Sequence, residues 1–324
     1  MLSTVFLSDM TNSNCKLPNL FIVGAAKAGT TSLYSYLLQH PSIYMSPVKE
    51  PHYFSTDIRA DNFTQKQYQK NHLNIARYLQ EKPLKPRHIA FVNKYDDYLA
   101  LFGQARCETV LGEASTGYLY SETAATNIHM FDPNAKIIII LRNPVDRAYS
   151  HWKMNYSAGR ERRTASLCES IRADYECTNK GWGKSNLYVE LGLYCRQVER
   201  FCELFLGSNL KICFYHDLER QPGQFMQELF QFLNLPSIDL DVTKKHNSSL
   251  MPKYSFISWL NRKYGMGRFV PVQLRAKLKK ITSSTQFPVF CNKERKEIYQ
   301  IYFERDVESL ERLLNRDLPE FKYG

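Results

Sequence analysis

With 324 residues, 44% of them hydrophobic and 23% charged, the chain has room for a sizeable core and the composition of a folded globular protein, which excludes a fibrous or natively disordered reading. Its 43 Lys and Arg against 32 Asp and Glu give a formal charge of +11, which favours anionic ligands, nucleic acid or acidic surfaces without choosing among them. The stretch Met1 to Cys15 has no basic region followed by an apolar run, so neither a signal peptide nor a membrane span is expected there; the eight cysteines form no C-x-x-C pair, and the chain reads as cytoplasmic with reduced, mostly buried thiols. Cys168 and Cys177 are the pair that an oxidising setting could join.

Residues 1–17 are polar, lead into Pro18 and read as a flexible tail, and 18–324 reads as a single domain. The core begins with the short apolar strand Leu20-Phe21-Ile22-Val23. It enters the small-residue turn Gly24-Ala25-Ala26-Lys27-Ala28-Gly29, and Thr30-Thr31-Ser32 then opens a helix that His40-Pro41 stops. A strand entering a glycine-bounded turn delivers backbone N–H groups to one point, and the following helix adds its unpaired amides and positive dipole end there. That point suits an anion, with the hydroxyls of Thr30, Thr31 and Ser32 as further donors and Lys27 as a mobile charge. The spacing nearly matches G-x-x-x-x-G-K-[ST]: Gly24 and Gly29 fit, but Thr30 stands at the lysine position and the lysine lies within the loop at Lys27. An ordinary βα turn whose glycines only relieve strain is the plainer alternative.

Ile43-Tyr44-Met45 is a second short strand and leads into Val48-Lys49-Glu50-Pro51-His52-Tyr53-Phe54. Residues 55–107 read as peripheral helices and loops forming one wall. Thr109 to Glu113 is a strand ending in an acid, followed by the loop Ala114 to Tyr118. The run Lys136-Ile137-Ile138-Ile139-Ile140-Leu141 is continuously apolar and β-branched, so it is expected to be buried on both faces of a parallel sheet. It ends at Arg142, and Pro144 suits the first turn of a helix. Residues 159–186 show no clear period, a helical pattern resumes from Tyr188 to Phe205, Leu210 to Tyr215 is another strand, and helices follow at 223–233 and 293–314. The basic cluster within 244–285 reads as a solvated helix face in preference to a nucleic-acid surface. The fold class is α/β, a central parallel sheet flanked by helices, with ligand groups after the strand carboxyl ends in a doubly wound nucleotide-binding arrangement.

Three separated segments carry a resemblance. The loop Gly24 to Ser32, the segment Ile140-Leu141-Arg142-Asn143-Pro144-Val145-Asp146-Arg147-Ala148-Tyr149-Ser150-His151-Trp152, and Gly112-Glu113-Ala114-Ser115 together resemble the P-loop sulfotransferases that use 3'-phosphoadenosine-5'-phosphosulfate (PAPS), over roughly residues 18 to 250. The resemblance implies that Ala26, Lys27, Ala28, Gly29, Thr30, Thr31 and Ser32 hold the 5'-phosphosulfate, that Arg142 and Ser150 hold the 3'-phosphate, and that Lys27 neutralises the leaving oxygen. A helix after Arg142 places Ser150 about two turns along, so guanidinium and hydroxyl can converge on one phosphate; a surface ion pair of Arg142 with Asp146 is the alternative.

The segment Lys49 to Phe54 resembles the glutamate-containing segment of heparan-type carbohydrate sulfotransferases, which implies Glu50 as the general base, its pKa raised by partial desolvation, with His52 as the rival. Two departures stand out. Glu113 is followed by Ala114 where the heparan-type enzymes have lysine, which puts a second active-site cation in doubt and leaves Glu113 either orienting Lys27 or capping its strand. The late Lys-Gly-Arg loop has only loose stand-ins at Lys263 to Arg268 and Lys245 to Asn247. Tyr53, Phe54, Tyr118, Trp152 and Trp182 are candidates for an acceptor wall. No metal, nucleic acid or membrane partner is expected. A P-loop kinase and a basic polyanion-binding protein are the competing readings.

Overall fold

Five consecutive residues of the β-branched run, Ile137 to Leu141, are fully buried, and they form the strand next to the centre of the main sheet. In this computed structural model residues 17–64, 73–158, 160–161, 166–242, 251–252, 283–284, 287 and 290–322 are described. In chain order the strands are β1 (Leu20–Gly24), β2 (Ile43–Met45), β3 (Val48–Lys49), β4 (Arg87–His88), β5 (Val110–Ala114), β6 (Lys136–Leu141), β7 (Leu210–Phe214) and the short antiparallel pair β8 (Met251–Pro252) and β9 (Ser283–Ser284). The main sheet runs β2-β5-β1-β6-β7 with every neighbouring pair parallel, as a sheet covered by helices on both faces requires. β3 and β4 form a separate small parallel pair that the sequence pattern did not disclose.

The strand order explains why distant residues meet. After β1 the chain crosses to the β2 edge and returns through β5, whereas β6 lies on the other side of β1. A crevice opens at the carboxyl ends of such a switch point, and here the loop after β1 adjoins the residue after β6. Ala25 donates its N–H to the Ile140 carbonyl at 2.8 Å, which fixes the two strand ends side by side.

The helices used below are α1 (Thr30–Leu37), α2 (Ala124–Phe131), α3 (Pro144–Ser157), α4 (Tyr194–Cys202), α5 (Pro222–Phe232), α6 (Asn292–Ile298) and α7 (Glu304–Leu314). α3 begins as its sequence predicts: Pro144 occupies the first turn and the Asn143 side-chain oxygen accepts from the amides of Val145 and Asp146. The pattern from Tyr188 to Phe205 yields a shorter helix, because Asp306 on α7 accepts from the amides of Tyr194 and Cys195 and so sets the start of α4. The expected helix 293–314 is divided into α6 and α7 by a π-helical turn at Tyr299–Phe303. Within the aperiodic segment 159–186 a short helix, Leu167–Tyr175, is nucleated by a reciprocal Ser166 and Glu169 capping box.

The buried Arg200 of α4 donates to the carbonyls of Leu119 and Tyr120, satisfying the end of the short helix Gly117–Tyr120 that packs on β1. The tail residues 1–16 and the side chains of the basic stretch 244–285, including both stand-ins for the Lys-Gly-Arg loop, lie outside the described residues. No helix among the described residues is long and apolar enough to cross a membrane.

Gly24 ends β1 where a Cβ would stand 2.6 Å from the Leu119 Cβ, whereas at Gly207 nothing lies within 4 Å of that position. Gly24→Ala is therefore expected to lower unfolding free energy by about 1–3 kcal/mol, and Gly207→Ala to stay within about 0.5 kcal/mol of the parent. Urea denaturation of the two variants measures the difference.

Candidate active site

The turn after β1 is shaped to leave hydrogen-bond donors unused. Gly29 sits at φ 92°, and the Tyr215 ring packs so closely that a Cβ there would lie 2.7 Å from it, so glycine is needed for both backbone and space. α1 follows at Thr30 with no side-chain cap and no acidic residue in its first turn. Its first amides and dipole therefore remain open to an anion. Ala28 and Thr30 are buried, while Ala26, Gly29, Thr31 and Ser32 are partly exposed along the same turn.

Lys27, at φ 69°, reaches toward α3, where its Nζ lies 3.6 Å from the Met154 sulfur. Among the described residues no carboxylate stands within ion-pairing distance of it. Burial first, and then the nearby Arg142 charge, lower its pKa to about 8; Arg147 and Lys49 act in the same direction and Glu50 opposes them. Arg142 donates to the Lys27 carbonyl at 3.2 Å, and its guanidinium lies 4.5 Å from the Tyr215 ring centroid. The alternative partner for Arg142 is taken: Asp146 pairs with Arg295 of α6 at 2.8 Å. Ser150 stands two turns into α3, half-buried. The structure thus brings the lysine of the loop and the arginine after β6 together across 115 residues of sequence.

The second half of the site is the bend after β3. Glu50 and His52 both have positive φ, 67° and 55°. The Glu50 amide donates to the Ala114 carbonyl at 2.8 Å and its carbonyl accepts from Ala90 at 2.9 Å, so the bend is tied to the end of β5 on one side and to the segment after β4 on the other. Its carboxylate is buried with Lys49 Nζ at 2.8 Å and the Nε2 atoms of His52 and His88 at 3.6 Å each.

This arrangement reverses the expected titration of Glu50. Burial pushes the carboxyl up, as expected for a desolvated acid, but the Lys49 ammonium and the two histidines outweigh it and hold the group well below the usual carboxylate range. Lys49 was not legible as a functional residue, since nothing in a Lys-Glu dipeptide says that both side chains turn into one buried pocket. It also supplies a cation near Lys27 despite Ala114 standing where lysine was expected.

Glu113 neither orients Lys27 nor caps its strand. It is fully buried, and its carboxylate accepts from the hydroxyls of Ser115 at 2.7 Å, Tyr118 at 2.8 Å and Tyr98 at 3.0 Å. Burial raises its pKa to about 7 against the pull of those hydrogen bonds.

Of the five aromatic candidates, Phe54, Tyr118 and Trp152 belong to the core, and Tyr53 stacks on the buried Tyr98 at 4.3 Å. Trp182 lies with its ring 5.7 Å from that of His52, the rival base, which also meets Tyr118 edge-on at 6.4 Å and stacks on Phe91 at 4.8 Å. The indole nitrogen of Trp182 and both ring nitrogens of His52 are shielded from solvent and have no hydrogen-bond partner among the described residues. No group of three or more His, Cys, Asp or Glu among the described residues could hold a metal ion.

Comparison with known proteins agrees with this geometry. A family model described as a sulfotransferase domain matches residues 17–261. Human carbohydrate sulfotransferase 15 is 27% identical over 267 residues, an alignment covering 68% of this chain and 44% of that protein. Mouse bifunctional heparan sulfate N-deacetylase/N-sulfotransferase 4 is 30% identical over 227 residues, covering 68% of this chain and 22% of that protein. The chain therefore spans less than half the length of these curated relatives. The crystal structure of a sulfotransferase from Alicyclobacillus acidocaldarius superposes with a TM-score of 0.64 at 28% identity, over 94% of this chain and 99% of that one. An anion cradle with its lysine inside the loop, a facing arginine and a family match across most of the chain have one common account: the chain belongs to the sulfotransferase family.

Proposed function

We propose that the protein transfers the sulfuryl group of PAPS to a hydroxyl, with an amine as second choice, of a carbohydrate in preference to a lipid or other small metabolite. The observation that carries this reading is the pair Lys27 and Arg142, two cations at an uncapped helix start with no acidic partner among the described residues. One suits the transferred end of the donor and the other, with Ser150, a second phosphate on its ribose. The carbohydrate preference is supported by the names of the relatives. A cytoplasmic location is part of the proposal, supported by the free thiols of all seven described cysteines, Cys168 and Cys177 included.

In the proposed step the acceptor oxygen attacks sulfur in line, a new O–S bond forms, and the bond from sulfur to the 5'-phosphate oxygen breaks. Adenosine 3',5'-bisphosphate leaves with the electron pair, and Lys27 neutralises the charge that grows on the departing oxygen. Glu50 receives the acceptor proton. Held ionised by Lys49, it keeps a free acceptor site for that proton, which becomes acidic as the O–S bond forms.

Adenosine 3',5'-bisphosphate should raise the melting temperature while ATP with Mg²⁺ does not; at a hundredfold excess over Kd the shift corresponds to about 2.7 kcal/mol. Arg142→Ala should abolish it, and an intact shift in that variant would remove the arginine from the donor site. Lys27→Ala should lower kcat by about 10²–10³-fold with a smaller loss of bisphosphate affinity.

Because the free enzyme loses the Lys27 proton above about pH 8 and a bound anion favours the ammonium, bisphosphate Kd should weaken from pH 7 to 9, by up to about tenfold per unit above 8. Lys27→Arg should flatten that titration. Glu50→Gln should lower turnover by about 10²–10⁴-fold with bisphosphate binding preserved, and retained turnover would move the base to His52.

A further inference from the structure

Glu113 is fully buried and touches neither Lys27 nor the carboxylate of Glu50, yet its three hydroxyl contacts lead to the bend that carries the proposed base. Ser115 Oγ, which donates to Glu113, accepts the amide of His52 at 3.2 Å. Tyr118 Oη, which also donates to Glu113, accepts the amide of Phe54 at 3.2 Å. A hydroxyl has a single proton, and a carboxylate can only accept. Above about pH 7, where Glu113 is ionised, both hydroxyl protons point at it, and the lone pairs left over are what the two backbone N–H groups require.

The bend needs such support. Glu50 and His52 are non-glycine residues at positive φ, a conformation that side chains disfavour and that persists where surrounding contacts over-determine it. The Glu50 amide is held by the Ala114 carbonyl, so the stretch 113–118 anchors residues 50, 52 and 54 in alternation, two of the three through groups whose polarity Glu113 sets. We propose that Glu113 is a positioning residue: by fixing the direction of the Ser115 and Tyr118 hydroxyls it locks the 50–54 bend and thereby aims Glu50 at the acceptor. Its part in turnover rests on Glu50 being the base; its hold on the bend does not.

Glu113→Gln tests this with little change of shape. The amide keeps one acceptor oxygen and places donors at the other position, so it cannot accept from Ser115 on one side and from Tyr98 and Tyr118 on the other at once, and either Ser115 or Tyr118 turns its proton toward the backbone N–H that it should accept. Hydrogen exchange followed by mass spectrometry should show peptides spanning 48–55 exchanging about tenfold faster in the variant, with peptides spanning the 24–32 loop unchanged. Turnover should fall about 10²-fold, the scale of a reacting group displaced by about 1 Å, with the KM for PAPS within about twofold of the parent. In a Glu50→Gln background the same change should cost less than about threefold.

Unchanged exchange at 48–55 overturns the proposal whatever the identity of the base. Faster exchange with full turnover overturns the aiming role, and a full loss retained on top of Glu50→Gln does so too. Glu50→Gln alone at parental turnover instead removes Glu50 as base and leaves the exchange result to judge the hold on the bend. Should Glu113→Gln fail to fold, Ser115→Ala removes one link and Ser115→Thr restores it, and exchange that ignores both overturns the proposal.

Discussion

A lysine held against a thioether, with no acid within ion-pairing distance among the described residues, is a position whose free energy improves when an anion arrives. Water is partly excluded from Lys27, and the nearest charges are mostly of its own sign, so its proton is held loosely. Arg142 is in a similar position, since the acid one turn away on α3 is committed to Arg295. The fold keeps these cations apart from partners by giving the nearby acids other work: Asp146 to α6, Glu50 to Lys49, and Glu113 to three hydroxyls. The crevice between β1 and β6 is left with positive potential and open helix amides, a setting that favours an anion.

The two halves of the site are built on opposite electrostatic plans. Around Lys27 and Arg142, the proposed donor side, the cations lack acidic partners among the described residues. On the acceptor side one acid has a surplus of cationic or potentially cationic neighbours, because Lys49, His52 and His88 all converge on Glu50. A buried carboxylate with one close ammonium is stable as an ion pair only when further hydrogen bonds satisfy its remaining lone pairs. The histidines stand where such bonds can form. Lys49 also lies near enough to Lys27 to influence it, so the charge state of one half is felt in the other.

What was legible in the sequence follows from the range of the forces involved. The strands β1 and β6, the glycine-bounded turn and the start of α3 are local matters, determined by hydrophobic runs, Gly29, Asn143 and Pro144, and they stand where the pattern places them. The parallel sheet follows from one run buried on both faces. The helix boundaries that differed were set from a distance: Asp306 starts α4 from 112 residues away, and no propensity within 188–205 encodes that. The same holds at the site. Glu50 was named from a short segment, but its titration depends on Lys49 turning inward and on His88 reaching it from an exposed strand of two residues, with little periodicity to betray either contact. Glu113 could be seen to end a strand; that Tyr98 and Tyr118 would meet it there required the fold.

The last described residues have a part in the site that their position in the chain disguises. The Asn143 amide group donates to the carbonyls of Glu320 and Phe321, closing contacts across 177 and 178 residues at the point where β6 hands over to α3. Arg295 reaches the same helix start through Asp146. During synthesis the turn after β1 and Arg142 leave the ribosome long before these partners exist, so the start of α3 beside them is still unsecured in the nascent chain. Under the proposed function, donor affinity is therefore a property that the molecule acquires late, maturing only when residues near 320 have docked behind a helix laid down half a chain earlier.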